Sequence, residues 1–269
     1  MTRAVLAKIA SAGCVVIALS CGIAWGQAGG PPVKLANAQP GDIRLFVAGS
    51  LRAPVAAIQG LLERRTGHKV VMESSESRTL QSEIEAGQPF EAALLTTAVV
   101  QDLIGKGKIV AASAMEIAMV RVGVAVRGDA PKLDVATPAG LKAAILGAHS
   151  IRRYYGVAAS TPILDNLFTK LDLAEATKDK MVALGNGQIP PEQPLPTGQY
   201  ELIINLTSAV IPMKGWTYLG AIPEQFQMPV PHSAGIGASG DATLGKVVLD
   251  MLKTPEFDAA LKANGITRP

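Results

Sequence analysis

The sequence predicts an α/β fold, in which short buried strands alternate with amphipathic helices. Short apolar runs recur along the chain with segments of helical periodicity between them, which is typical of parallel strands joined by right-handed crossovers. Hydrophobic residues make up 48% of the 269 residues and charged residues 17%, as expected for a globular protein. Aromatic residues make up only 4%, so aliphatic side chains must form most of the core.

The first half of the fold begins with a predicted strand over 43–47, which ends at Ala48-Gly49-Ser50. A helix follows, because apolar residues from Leu51 to Leu62 share one face, and Gly67 is a suitable C-terminal cap. The remaining elements predicted here are strands over 70–72 and 92–95 and helices over 79–86 and 99–104.

The second half repeats this alternation, beginning with a strongly apolar strand over 119–126. Thr137 and Pro138 begin a helix as N-cap and first-turn residue. Four prolines interrupt the pattern between Gly185 and Gly198, where we expect a loop. The remaining predicted elements are strands over 150–154 and 201–204 and helices over 162–171, 242–252 and 255–264.

The first residues have the organisation of a secretory signal peptide. Arg3 and Lys8 give a positive start, 9–24 is apolar, and small residues follow, so we expect a signal peptide over 1–28 with cleavage after Gly26 or Ala28. The alternative is an uncleaved anchor, but the apolar run is shorter than the about 20 residues of a spanning helix. The sequence therefore predicts a periplasmic protein.

Both cysteines, Cys14 and Cys21, lie within this segment. Cys21 follows Ala-Leu-Ser, a loose version of the lipoprotein cleavage box, so lipidation at Cys21 stays open as an alternative. Cleavage at Gly26 or Ala28 leaves a mature chain without a disulfide, a thiol nucleophile or a Cys-ligated metal. The Gly- and Pro-rich stretch 29–41 is then expected to be a flexible N-terminal segment.

Composition and motifs argue against several function classes. The net charge of +3, with no long basic run, does not indicate nucleic-acid binding. The three histidines, His68, His149 and His232, are far apart, and no metal-binding or nucleophile-elbow motif occurs, so we expect no enzyme, no cofactor and no directly bound metal. A periplasmic enzyme stays a less favoured alternative. The glycine run 235–240 resembles a dinucleotide fingerprint but has no βαβ unit after it.

Several short motifs resemble one known family. They are A-G-S-L at 48–51, T-L-Q-S-E-I-E-A-G at 79–87, V-G-V-A-V-R at 122–127, K-L-D at 170–172 and A-L-K-A-N-G-I at 260–266. With these motifs the mature chain resembles the periplasmic molybdate-binding proteins, within the type 2 periplasmic solute-binding protein superfamily. The resemblance implies two lobes, each a mostly parallel sheet flanked by helices, with the ligand between them. Lobe one would comprise 42–118 plus 208–269, and lobe two 119–207.

Two serines match the ligand-binding serines of this family. Ser50 lies where a strand gives way to a helix, so its hydroxyl and nearby backbone N–H groups can point at an anion. Ser77 precedes the helix predicted from Thr79 in the same way. The alternative for each is a helix-capping role, which is the commoner one for a serine in this position.

The other family contacts match less well. Ser160 lies where the family has a small residue in a turn, and its backbone N–H can serve there. Asn205 aligns with the family's tyrosine and can donate through its amide. The stretch beginning around Gly187 replaces a helix that supplies a further backbone contact.

Two arginines near the expected cleft favour a different ligand. Arg78 follows Ser77, and Arg152 lies near the end of a predicted strand, where open α/β sheets bind ligands. Arginine suits a carboxylate or phosphate, although it is usually a solvated surface charge.

The resemblance implies a monomer that performs no chemistry, captures a small oxyanion and delivers it to the membrane permease of an ABC transporter. Molybdate or tungstate is the leading ligand, because the two serines match. An organic anion with a carboxylate or phosphonate, held through arginines, is the alternative.

Overall fold

The computed structural model describes Leu35 and residues 38–154, 160–184 and 195–269. The predicted signal peptide, Cys21 and Gly187 lie outside the described residues, as does most of the predicted proline-rich loop. Among the described residues, no helix is both long and apolar enough to cross a membrane.

The described residues form strands and helices in alternation, with a few short 3-10 turns. The strands are β1 (Ile43–Ala48), β2 (Val70–Ser75), β3 (Ala92–Thr96), β4 (Met115–Val120), β5 (Val122–Gly128), β6 (Ser150–Tyr154), β7 (Met181–Leu184), β8 (Tyr200–Leu206), β9 (Thr217–Ala221) and β10 (Val230–Ile236). The helices are α1 (Arg52–Thr66), α2 (Ser77–Glu85), α3 (Thr97–Gly105), α4 (Pro138–Gly147), α5 (Thr161–Lys170), α6 (Ala174–Thr177), α7 (Thr207–Val210), α8 (Ala242–Met251) and α9 (Pro255–Ala263).

These strands form two five-stranded sheets, which are the centres of two lobes. The first sheet has the order β2-β1-β3-β10-β4 and the second β7-β6-β8-β5-β9. The chain leaves the first sheet after β4, completes the second sheet, and returns with β10. The second lobe is therefore inserted into the first, which confirms the two-lobed α/β class.

Each sheet is mostly parallel, as predicted, with one strand that runs against the other four. In the first sheet β1 is parallel to β2 and β3, but β10 is antiparallel to both of its neighbours. In the second sheet β6 is parallel to β7 and β8, but β5 is antiparallel to β8 and β9. The antiparallel strands are those next to the crossings between lobes. A strand that arrives from the other lobe has no helical crossover to set its direction, and so it can run either way.

The crossings between lobes differ from the predicted limits of the lobes. The run 119–126, predicted as one strand, is divided at Arg121 into β4 in the first sheet and β5 in the second. The chain returns to the first sheet only after β9, and not near residue 208. Hydrophobicity did not reveal the division, because both strands are apolar and largely buried.

The two crossing segments are held together by polar contacts. Arg121 forms a two-fold ion pair with Glu224, at 2.6 and 3.0 Å. The side chain of Gln227 accepts a hydrogen bond from the N–H of Val122 (3.1 Å) and donates to the carbonyls of Val122 (2.8 Å) and Ile222 (3.1 Å). These bonds replace the ladder bonds that the backbone loses where it leaves a sheet.

The helices form because one face of each is apolar and packs on a sheet. In α1, Val55, Ile58 and Leu62 are buried, and Gly67 ends the helix in the left-handed conformation with φ 73°. Leu35 also packs into the first lobe, and its N–H donates to the buried carboxylate of Glu73 at 3.4 Å. This residue of the predicted flexible segment 29–41 is therefore anchored, because its side chain is apolar and buried.

Candidate functional site

The parallel strands of the first sheet end at one edge, where three helices begin. Ala48 at the end of β1 lies opposite Ser75 at the end of β2. Ser50 and Ser77 each follow two residues later, so both lie at this edge. α2 and α3 start within two residues of the ends of β2 and β3, and α1 follows β1 after a 3-10 turn. Their N-terminal amide groups converge at this edge and give it a partial positive charge without a charged side chain.

The hydroxyl of Ser50 contacts a histidine from a distant part of the chain. Ser50 is half-buried in the 3-10 turn Gly49–Leu51, and its Oγ lies 2.7 Å from Nε2 of His232. Neither this turn nor α1 has a side-chain hydrogen bond at its N-cap. The structure therefore does not support the capping alternative for Ser50.

His232 is a buried residue of β10, only 1% exposed. Its Nδ1 lies 3.0 Å from the carbonyl oxygen of Val230. A carbonyl can only accept, so Nδ1 carries the hydrogen and Nε2 of the neutral ring accepts from the Ser50 hydroxyl. Burial penalises the charged ring and lowers the pKa of His232 to about 4.

Ser77 accepts in its hydrogen bond within the protein, whereas Ser50 donates to His232. Its Oγ accepts the backbone N–H of Thr96 at 3.1 Å, so its own hydroxyl hydrogen is available to a ligand. Ser77 is the first residue of α2 but forms no side-chain cap. The residue after Thr96 is Thr97, and its hydroxyl lies 2.8 Å from that of Ser233. We call Ser50, Ser77, Thr97 and His232 the polar edge.

The second lobe contributes polar groups where β8 ends. Oδ1 of Asn205 accepts the N–H of Leu206 at 2.8 Å, which directs its amide N–H₂ elsewhere as a donor. The short helix α7 follows and packs against the turn that contains Ser50. Ser208 in this helix is buried, and its Oγ has no partner among the described residues.

Ser208 was not identified from the sequence, although a usable signal was present. It lies four residues after the predicted strand 201–204. In the structure it follows the end of β8 by two residues, as Ser50 follows the end of β1. His232 had no comparable signal, because its role depends on a contact with a residue 182 positions away.

Ser160 lies at the start of α5, after the strand β6. It is 1% exposed, and its Oγ has no hydrogen-bond partner among the described residues. A buried hydroxyl without a partner is costly, so a ligand is a reasonable candidate for that partner. Gly187 lies outside the described residues, and its predicted contact stays a prediction.

The two candidate arginines have different surroundings. Arg78 is exposed on α2 beside Ser77. Arg152 is buried and forms an ion pair with Glu201 at 3.1 Å, while Arg127 binds the same carboxylate at 2.5 Å. Both guanidinium groups also lie over the ring of Trp216. We call Arg127, Arg152, Glu201 and Trp216 of the second lobe the arginine cluster. It gives Arg152 a structural role that the sequence did not predict.

The Ser50–His232 contact has the geometry of an activated nucleophile, but its chemistry does not favour catalysis. A general base works best with a pKa near the working pH, and the pKa of His232 is about 4. The group that orients the ring is a neutral carbonyl, where serine hydrolases use a carboxylate. Among the described residues, no three His, Cys, Asp or Glu side chains gather as a metal site. The arrangement is better suited to binding.

The sequence matches the family model of bacterial extracellular solute-binding proteins over residues 43–267. It is 27% identical over 250 residues to the molybdate-binding protein ModA of Azotobacter vinelandii, covering 85% of this chain and 90% of that protein.

The fold is similar to solved structures of such proteins. The periplasmic molybdate-binding protein of Azotobacter vinelandii aligns with a TM-score of 0.63 and 18% identity, over 85% of this chain and 100% of that one. PEB3 of Campylobacter jejuni with L-phospholactate bound aligns with a TM-score of 0.61 and 12% identity, over 85% and 100% of the chains. At these identities the likeness concerns the fold alone.

Proposed function

The chain belongs to the family of bacterial extracellular solute-binding proteins, and from this premise we propose that it captures molybdate or tungstate between its lobes. The bound form then delivers the anion to the permease of an ABC transporter from the periplasm. The protein acts as a monomer and performs no chemistry on its ligand. This proposal is also supported by the similarity to ModA, whose name gives molybdate as its ligand.

The observation that supports it most strongly is the polar edge. A tetrahedral oxyanion needs several neutral donors that converge from different directions. Ser77 offers its hydroxyl, and three helix N-termini offer backbone N–H groups. The other lobe adds Asn205, near the end of β8, and Ser208, two residues after that end. The charged residues closest in sequence to Ser50 and Ser77 are Arg52 and Arg78, which are exposed, and Glu76. Burial raises the pKa of Glu76, which reduces its repulsion of an anion.

The test is calorimetric titration of the protein purified from the periplasm of an expressing bacterium. The panel contains molybdate, tungstate, sulfate, phosphate and small carboxylates. We expect tight binding of molybdate or tungstate. Ser50→Ala and Ser77→Ala should each weaken it about tenfold to a hundredfold, because each removes a polar contact to a charged ligand.

Ser82→Ala is the matched control, since Ser82 is an exposed serine of α2 whose hydroxyl donates to the carbonyl of Arg78. It should leave the affinity unchanged. A protein that binds no anion of the panel would contradict the proposal as a whole.

An organic anion is the second candidate ligand. It is favoured by the similarity to PEB3, whose solved structure contains L-phospholactate, and by the exposed Arg78 beside Ser77. Binding of a carboxylate or phosphonate without binding of molybdate or tungstate, together with a loss in Arg78→Ala, would establish this ligand class in place of the metal oxyanion.

A further inference from the structure

We propose that Ser50 and His232 make anion capture proton-coupled, so that the complex holds one proton more than the free protein and the fully ionised anion together. This inference rests on the proposed function, because it concerns the same site. It concerns the direction of two hydrogen bonds, which neither the sequence nor the family match determines.

The two bonds form a chain with a fixed direction. The carbonyl of Val230 takes the hydrogen of His232 Nδ1, and Nε2 then takes the single hydroxyl hydrogen of Ser50. Ser50 therefore presents only lone pairs to its remaining surroundings. A fully ionised oxyanion also presents only lone pairs. The Ser50 oxygen and the anion therefore cannot form a hydrogen bond without a further proton or a change in this series of hydrogen bonds.

One possible change is rotation of the Ser50 hydroxyl towards the anion. The rotation leaves Nε2 of His232 as a buried acceptor without a donor, and such a group loses its hydrogen bond to water without replacement. Ring reversal does not help, because Nδ1 is already held by Val230. Rotation alone therefore weakens the site.

A proton removes the conflict in two equivalent ways. A protonated His232 donates from Nε2 to Ser50, whose hydroxyl then donates to the anion. Alternatively the anion keeps its own last proton and donates it to the Ser50 lone pair. In both arrangements every group has a partner, and in both the complex contains one added proton.

The charged groups around His232 do not keep its ring protonated in the absence of an anion. Among the described residues, the charged groups on the elements packed against β10 and the Ser50 turn are all exposed or only partly buried. They are Glu116 on β4, Asp102 on α3, Arg52, Glu63, Arg64 and Arg65 on α1, and Lys246 and Asp250 on α8. Burial alone lowers the pKa of His232 to about 4, so the ring is neutral until an anion arrives.

Glu76 is a competing proton acceptor beside the polar edge. It precedes Ser77, and burial already raises its pKa. An anion would raise that pKa further, so proton uptake by itself does not identify His232. The test must separate the two groups.

The experiment is calorimetric titration with molybdate from pH 5 to pH 8, in pairs of buffers with different ionisation enthalpies. For the wild-type protein we expect uptake of about one proton per anion, and an affinity that falls about tenfold per unit of rising pH. Tight molybdate binding without proton uptake would overturn this inference and leave the proposed function intact. Absence of any anion binding would overturn both.

His232→Gln separates the candidates, because a glutamine amide can donate to Ser50 without titrating. This variant should lose the His-linked uptake and bind molybdate at pH 8 at least as tightly as the wild type. Glu76→Gln should keep the uptake, as should His149→Gln, which changes an exposed histidine of the second lobe. Uptake that persists in His232→Gln and disappears in Glu76→Gln would assign the proton to the carboxylate and refute the proposal.

Discussion

The polar edge of the first lobe and the arginine cluster of the second differ in how they use polar groups. The polar edge consists of hydroxyls and a neutral imidazole, and its positive potential comes from helix N-termini. The arginine cluster contains two guanidinium groups and one carboxylate, and Ser150 adds a hydrogen bond to Glu201 at 2.6 Å. In the cluster both guanidinium groups pair with the same carboxylate. The polar edge leaves hydrogen-bonding capacity open.

This difference shows where an anion site is to be sought in such a fold. A buried arginine is expensive to desolvate, so it is retained mainly with a carboxylate beside it. Neutral donors have a smaller desolvation cost, so they can remain without a hydrogen-bond partner in the ligand-free protein. In this protein the charged groups stabilise a lobe, and the neutral groups are the candidates for recognition.

The largest effect that tests this distinction is expected at Glu201. Glu201→Gln removes the carboxylate that the guanidinium groups of Arg127 and Arg152 share, and we expect a loss of about 3–5 kcal/mol in the free energy of unfolding. Urea unfolding followed by circular dichroism measures it. Asp250→Asn, an exposed carboxylate paired with Lys246 and Lys253, is the control and should cost far less. Similar losses in the two variants would remove the distinction.

The next effect concerns acid stability and comes from the polar edge. The pKa of His232 is about 4 in the folded protein and 6.5 when unfolded, so the unfolded state binds more protons between these values. Stability should therefore be complete above pH 6.5 and fall as the pH drops towards 4, by about 3 kcal/mol from this residue.

Urea unfolding of the wild type and of His232→Gln without ligand, between pH 4 and pH 7, isolates this contribution. The comparison is needed because Glu83 acts in the opposite sense. Burial, and then its neighbour Glu73, raise the pKa of Glu83 to about 7, which lowers stability as the pH rises. The same acid dependence in both proteins would show that His232 is not neutral and buried as described.

The smallest effect is expected at Arg78. This side chain is exposed, so salt and water screen its charge, and Arg78→Ala should weaken molybdate binding by less than about fivefold. Titration at low and high salt measures it. A loss of affinity above tenfold at both salt concentrations would mean that Arg78 contacts the anion. The contrast between neutral binding groups and structural charged groups would then fail.

Much of the first lobe follows from sequence pattern. β1, β2 and β3 are short apolar runs, and the helices after them have regular apolar spacing, so their existence and order were predicted. β10 was not predicted. It contains Pro231, His232, Ser233 and Gly235, residues that argue against a central strand, and it is a strand only because the neighbouring β3 and β4 pair with it.

The candidate site was predictable to a similar extent. Ser50 and Ser77 follow from motifs next to strands, and their positions are local properties of the sequence. Arg152 was taken as a possible ligand contact because it lies near a strand end. Its pairing with Glu201 was not predicted. Tertiary pairing of this kind is decided by sheet register, which pattern does not supply.

The strand order of the first sheet has a consequence for how the protein is made. β10 lies between β3 and β4, yet the ribosome produces it only after every strand of the second sheet. Until then β3 and β4 have facing edges without a partner, and such edges are prone to pairing with other chains. The second lobe can complete its sheet first. A chain that stops before Val230 therefore has one finished lobe, one open lobe and no His232, so the first lobe is the vulnerable one during biosynthesis.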